Sequence, residues 1–510
     1  MHRLAPWTAA LVFALAAIPA ARARPSAPPS APSSTPLAAS IDALIHAPRF
    51  ANASWGIEVV SLDTGRTLYA HDAERLLEPA STAKLFTAAL TLDRLGADQR
   101  TATRLLARGP IRHGRLDGAL VLYGMGDPTL GTAASTDWAD RLATQLLAHG
   151  VRRVHGDLVA DDTYFAGPPI GSGWEVGDLL GAFAAPAAAL SVDENSGWLT
   201  LTPAAQAGRT VDLALDPPLA IPAIDSRLIT APANSAGDLN LYRAPGSDTL
   251  YAFGSLPAAS APRRLRLAMN DPARVAAAQL RDALIRHGVT IDGQVRTLHW
   301  PQDDTAVTAG ATLVGEILSP PLGEILRSGL KRSQNLYLQN LLLMAGVQAK
   351  TLAEQSDAPP LGFITTEAWG LRALRELLDR IGIAPADARL EEGSGLSRQN
   401  LVTASAMVRL LQYLAAQPHA ASLRDMLPLA GVDGSLIGRM RGTPAAGNVQ
   451  AKTGSMTYVH ALAGYVTTAS GQHLAFALLL NNYEPAAGDP PASRELDAIA
   501  ERLAADRHAP

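Results

Sequence analysis

The sequence predicts an α/β (α+β) fold: an antiparallel sheet flanked by helices, assembled from both ends of the chain and interrupted by two nested insertions. Three observations predict it. Strand-like alternation occurs near the start, at 55–60 and 67–70, and again near the end, at 463–467 and 474–480, with a helical run after each pair. Between them, a helix running into His-Gly-Val and a strand-like segment occurs twice, at 149–151 and 287–289, a pattern open to duplication or convergence. Between those two units, residues 193–262 read as short β-like runs rich in Pro, Ala and Thr, with no helix of useful length.

In chain order, residues 4–21 carry no charge and lead to Ala21-Arg22-Ala23, so 1–23 read as a cleaved export signal, with an uncleaved anchor as the alternative. Residues 24–40, rich in Pro, Ser and Ala, read as an extended linker. Asp63-Thr64-Gly65 joins the first two strands. Pro79 opens a helix that runs to Leu95 and is closed by Gly96. Residues 41–103 and 306–510 are assigned to one domain, 104–192 and 263–305 to an inserted α/β domain, and 193–262 to a second, nested β-rich insertion. No stretch after the leader is long and apolar enough to cross a membrane, leaving at most peripheral membrane contact. Oligomeric state is not encoded in any pattern we find.

Composition removes several functions. With no cysteine in 510 residues, disulfide scaffolds, Cys-based zinc sites, iron–sulfur clusters and a cysteine nucleophile are excluded. A net charge of −4 offers no basic field for nucleic acid. The 43 basic residues comprise 39 Arg and only four Lys: Lys84, Lys331, Lys350 and Lys452. Lysine can shed its proton when buried or crowded by positive charge, whereas arginine effectively cannot. Each remaining lysine is therefore a candidate for chemistry that arginine could not perform.

Three short motifs use that property. Ser81 and Lys84 sit three apart at a helix start, so they share one face, with the Ser81 N–H among the early amides and the helix dipole disfavouring a charged Lys84. Ser333 and Asn335 can both project into a site from a turn entering a helix, although Ser-x-Asn alone most often caps one. Lys452 and Gly454 share one face of an edge strand, while Thr453 and Ser455 offer hydroxyls and amides to an extended peptide. Each motif has a plain structural reading: a surface lysine, a cap, an edge lysine that deters aggregation. All three together are expected by chance in only about a few chains per thousand. No H-E-x-x-H, G-x-x-x-x-G-K or G-x-S-x-G motif is present, and none of the 12 histidines recommends a Ser-His-Asp reading.

The set S-x-x-K, S-x-N, K-T-G resembles that of penicillin-binding proteins and β-lactamases. In detail the chain resembles the D-alanyl-D-alanine carboxypeptidase/endopeptidases of the low-molecular-mass class C penicillin-binding proteins, the peptidase S13 family. The likeness covers almost all of the mature chain. It includes Gly126-Asp127-Pro128-Thr129-Leu130, Gly156-Asp157 through Asp162 to Tyr164-Phe165, and Ala189-Leu190-Ser191-Val192. It continues through Gly393-Ser394-Gly395-Leu396-Ser397-Arg398, Leu429-Ala430-Gly431-Val432-Asp433-Gly434 and Arg441-Gly442-Thr443-Pro444. Gln334 and Glu392 depart from the family pattern, which usually has Asp at both places, and bear on substrate preference. The resemblance implies a penicillin-binding transpeptidase-like domain and cleavage of D-Ala-D-Ala bonds in peptidoglycan stem peptides and cross-bridges, in the periplasm. It implies Ser81 as nucleophile, Lys84 as base, Ser333 as proton relay, Asn335 as a holder of Lys84 and substrate amide, and Lys452 as positive field. The N–H groups of Ser81 and Ser455 would form the oxyanion hole; Thr453, Gly454 and Ser455 would bind substrate; β-lactams would inhibit covalently; no metal or cofactor is called for. A serine β-lactamase or esterase and a non-catalytic wall-binding scaffold are the alternatives.

Overall fold

The computed structural model describes residues 35–356 and 362–508. The expected export signal, 1–23, lies outside the described residues, as does linker segment 24–34. The rest of the expected linker is helical: Pro36–Ile45 starts with proline at its first position and Thr35 accepting a hydrogen bond from the Ala38 N–H. Ala38 and Ile41 are fully buried, so this helix belongs to the core rather than to a tether.

Both ends of the chain meet in one sheet, as the terminal strand patterns predict. Its order is Thr67–His71, Ser54–Ser61, His473–Asn481, Val459–Thr467, Gln450–Met456, antiparallel throughout. The run Leu474–Leu480 is apolar at every position because the sheet has a helical layer on each face. Leu474, Phe476, Leu478 and Leu480 pack towards the helices Pro36–Ile45 and Ser493–Ala505. Ala475, Ala477 and Leu479 join the larger core that contains the helices Lys84–Arg94, Asn335–Glu354, Thr366–Arg380 and Ala404–Ala415.

A second sheet carries the insertion: Val295–Leu298, Leu158–Asp161, Ala119–Gly124, Ala102–Arg108, Thr312–Leu318. This moves two expected boundaries. Thr312–Leu318, expected in the 306–510 segment, pairs with Ala102–Arg108, and its Val314 and Ile317 are buried in the insertion's own core. Arg263–Ala268, expected outside the nested insertion, pairs with Ser196–Thr202 and so belongs with the nested strands. In both cases a strand returns to its sheet after a long excursion, and sheet pairing sets the division rather than local texture.

The two His-Gly-Val units are neighbours with one design. Helices Trp138–Ala148 and Pro272–Arg286 each end at a glycine with positive φ (Gly150 80°, Gly288 78°), after which the valine N–H bonds back to Leu146 O and Leu284 O respectively. The strands that follow pair in parallel, Thr290 with Arg153 and Val295 with Leu158.

Candidate active site

The turn that carries Ser81 differs from the expected α-helix in one respect. Ala80–Ala83 is a 3₁₀ turn, entered through Ala80 at φ 46°, and the α-helix begins only at Lys84. Pro79 O accepts the Thr82 N–H and hydroxyl, which pins the turn ahead of the helix. Ser81 stays partly accessible at the surface of this turn while Lys84 is fully buried. The two still meet: Lys84 Nζ lies 2.8 Å from Ser81 Oγ. The reading of Lys84 as a surface residue is thereby removed.

The amine is held from three sides. It also donates to Asn335 Oδ1 at 2.5 Å and to the carbonyl of Ser394 at 2.5 Å. Asn335 is fixed in turn by donating to Phe183 O at 2.8 Å. Burial strips water from the ammonium and, despite a favourable field from Glu392, pushes the Lys84 pKa down to about 7. A base that loses its proton near neutrality next to a serine hydroxyl is equipped to activate it.

Ser333 caps the helix Leu322–Arg332 in the left-handed region, at φ 56° and ψ 39°, and Asn335 begins the next helix. The Ser-x-Asn segment is therefore a turn between helices, and the Asn335 side chain goes to Lys84 rather than to a helix cap. Lys452 Nζ donates to Ser333 Oγ at 2.8 Å and to Thr453 O at 2.8 Å. Lys452 is fully buried, and burial, followed by the positive charge of Lys84, drives its pKa well below the usual lysine value.

Gln450–Met456 is the edge strand of the sheet. Lys452 and Gly454 face inward, while Thr453 and Ser455 face the open side, as the two-residue period requires. Gly454 must be glycine: a Cβ there would sit 2.7 Å from Pro79 O, so strand and Ser81 turn touch backbone to backbone. The structure thus brings Ser81, Lys84 and Asn335 into one hydrogen-bonded group and Ser333 and Lys452 into a second, joined through the Ser333–Asn335 turn and flanked by Thr453, Gly454 and Ser455.

Several contributors were not read from the sequence as site residues. Glu392 lies buried beneath the site and accepts from Ser394 N (2.7 Å) and Oγ (2.5 Å), Gly395 N (2.6 Å), Asn400 Nδ2 (2.7 Å) and Trp174 Nε1 (3.3 Å). It shapes the loop whose Ser394 carbonyl meets Lys84. Ser435 Oγ is 2.7 Å from Thr453 Oγ1. Phe183 acts through its carbonyl alone, which no residue-type pattern can reveal. Gln334, noted in the sequence as a departure from the family pattern, donates to Glu194 Oε2 at 3.1 Å.

A family model described as the D-Ala-D-Ala carboxypeptidase 3 (S13) family matches residues 37–504. A D-alanyl-D-alanine carboxypeptidase of Actinomadura sp. (strain R39) is 38% identical over 478 residues, which span 91% of this chain and 84% of the relative. D-alanyl-D-alanine carboxypeptidase DacB of Haemophilus influenzae is 29% identical over 431 residues, spanning 84% and 85%. The crystal structure of penicillin binding protein 4 (dacB) from Haemophilus influenzae matches with a TM-score of 0.77 at 28% identity, over 91% of this chain and 98% of that one. The same protein complexed with a novel β-lactam matches with a TM-score of 0.72 at 27% identity, over 88% and 95%.

Proposed function

The chain belongs to the D-Ala-D-Ala carboxypeptidase 3 (S13) family, so it is a serine D-Ala-D-Ala carboxypeptidase/endopeptidase of peptidoglycan, and we propose that Ser81 carries the reaction with Lys84 as its base. The observation that carries this assignment is the 2.8 Å contact between Ser81 Oγ and a fully buried Lys84, whose pKa burial pushes down to about 7. Neutral Lys84 takes the hydroxyl proton as Ser81 Oγ attacks the carbonyl carbon of the penultimate D-Ala. The carbonyl oxygen becomes an oxyanion that the N–H groups of Ser81 and Ser455 stabilise. As the C–N bond breaks, Ser333 relays to the leaving amine the proton that Lys84 took from Ser81, leaving an ester on Ser81 that water then hydrolyses.

Lys452 supplies the positive field. Burial is the larger cause that lowers its pKa and the charge of Lys84 the smaller, so a neutral Lys84 lifts only the smaller of the two. Thr453 and Ser455 hydroxyls receive the terminal carboxylate, and Gly454 lets the peptide backbone approach the strand. β-Lactams acylate the same serine. Export to the periplasm is supported by the leader-like pattern of residues 4–23.

The test is digestion of defined cross-linked and uncross-linked muropeptides, read by mass spectrometry, with the wild type and Ser81→Ala. The wild type releases terminal D-Ala and opens cross-bridges; Ser81→Ala does neither. Release at the parental rate by Ser81→Ala would overturn the assignment.

A further inference from the structure

A second buried charge lies beside Ser333 and takes no part in the chemistry above. Glu194 is buried at the root of the nested strands, in the turn Asp193–Asn195. Its carboxylate accepts from Arg332 Nη1 at 2.6 Å and Nη2 at 2.9 Å, Arg266 Nη2 at 2.7 Å, Gln334 Nε2 at 3.1 Å and the Tyr337 hydroxyl at 2.9 Å. Arg332 and Gln334 are the two chain neighbours of Ser333. One carboxylate therefore holds the side chain on each side of a residue whose own side chain must point the other way, at Lys452.

The backbone gives independent support. Ser333 sits at φ 56°, a conformation residues with a Cβ rarely adopt and glycine usually supplies after a helix. Asp193, Glu194 and Asn195 sit at φ 51°, 55° and 51°, three left-handed residues in succession. That run is pinned by Asn195, whose Oδ1 accepts the Val192 N–H at 2.9 Å and whose Nδ2 donates to Pro186 O at 2.7 Å. Strained backbone on both sides of a contact implies that the contact is worth holding. Burial alone would raise the Glu194 pKa, but hydrogen bonds from Arg332 and Arg266 hold it down at about 2, so the clamp stays charged across the working range.

We propose that Glu194 is a positioning residue for Ser333: it fixes Arg332 and Gln334, and so sets the left-handed turn that aims Ser333 Oγ at Lys452. The inference rests on the role given to Ser333 above. It makes the nested insertion part of the machinery, because the residue that sets the turn is supplied from more than a hundred positions away in the chain.

A merely structural tie between segments would lower stability without acting through Ser333, and a double-mutant cycle separates the two. The rate constant for acylation by a fluorescent penicillin is measured per labelled active site, together with Tm, for the wild type, Glu194→Gln, Ser333→Ala and the double variant. We expect Glu194→Gln to slow acylation at saturating probe by about tenfold or more, and to slow it less than about twofold further once Ser333 is alanine. Equal losses in both backgrounds, or a lower Tm with an unchanged rate per labelled site, would overturn the proposal. Tyr337→Phe removes one donor and keeps the charge, so it serves if Glu194→Gln fails to fold; a loss of about two- to fivefold is expected, again absent in Ser333→Ala. If Ser333→Ala itself leaves acylation unchanged, the role of Ser333 falls, and the clamp proposal with it. Loss in Ser333→Ala with none in Glu194→Gln overturns the clamp alone.

Discussion

In the cleft, two lysine amines lie buried among hydroxyl, amide and carbonyl oxygens; at the seam with the nested strands, one glutamate lies buried among two arginines, a tyrosine and an amide. Both clusters flank the same Ser333 turn, and the groups at their centres, Lys84 and Lys452 in one and Glu194 in the other, are buried. Their protonation goes opposite ways. Lys84 faces neutral dipoles with Glu392 as its listening anion at a distance, and it drifts down to about 7. Glu194 faces two guanidinium groups, and it drops to about 2. Burial raises the penalty for any lone charge; the number of opposite charges within reach decides whether that charge survives. The cleft is built to let a proton move, and the seam to keep geometry still.

The strongest way to break this contrast is Lys84→Arg. Arginine retains a cation but cannot serve as a base, so acylation should fall by roughly 10²–10⁴-fold while the protein still folds, checked by stopped-flow labelling and circular dichroism. A loss below about threefold would place the base elsewhere. Next comes Ser333→Gly. Glycine relieves the left-handed strain, so stability should rise by about 1 kcal/mol in urea unfolding even as acylation slows at least about tenfold, because the hydroxyl facing Lys452 is gone.

Glu392→Gln sharpens the contrast from the cleft side. Glu392 is the anion that keeps the Lys84 proton in place. Without it the amine deprotonates at lower pH, so the ratio of acylation rates on the acid and alkaline sides of neutrality should increase relative to the wild type. The smallest effect is expected at Lys350, which is exposed and pairs with Glu354 across one helical turn at 3.7 Å. Lys350→Ala should change stability by about 0.5 kcal/mol or less and leave acylation untouched, showing that the rarity of lysine alone does not mark a functional one.

The sequence carried the cleft better than it carried the seam, for a physical reason. Ser81, Lys84, Ser333, Asn335 and Lys452 act through side chains, and side-chain chemistry is what a motif records. Two of the four lysines proved to be the buried ones, while Lys331 is paired with Asp433 at 2.6 Å and Lys350 lies at the surface. Phe183 and Ser394 act through carbonyl oxygens, which every residue possesses, so no residue type could announce them. The terminal sheet was legible from its alternation, but Thr312–Leu318 and Arg263–Ala268 were misplaced because strand partners lie far away in the chain. Gln334 was legible as a departure and not as a contact, since its partner Glu194 comes from the nested segment.

The central claim, an uncharged Lys84 amine acting on Ser81, is tested most directly by the pH dependence of the acylation rate constant between about pH 5 and about 9. Because the base must be neutral, the account predicts a rate that rises with pH through about 7 and then levels, with the rise abolished in Lys84→Arg. A rate that stays flat across this range in the wild type, or a rise that persists in Lys84→Arg, would contradict it.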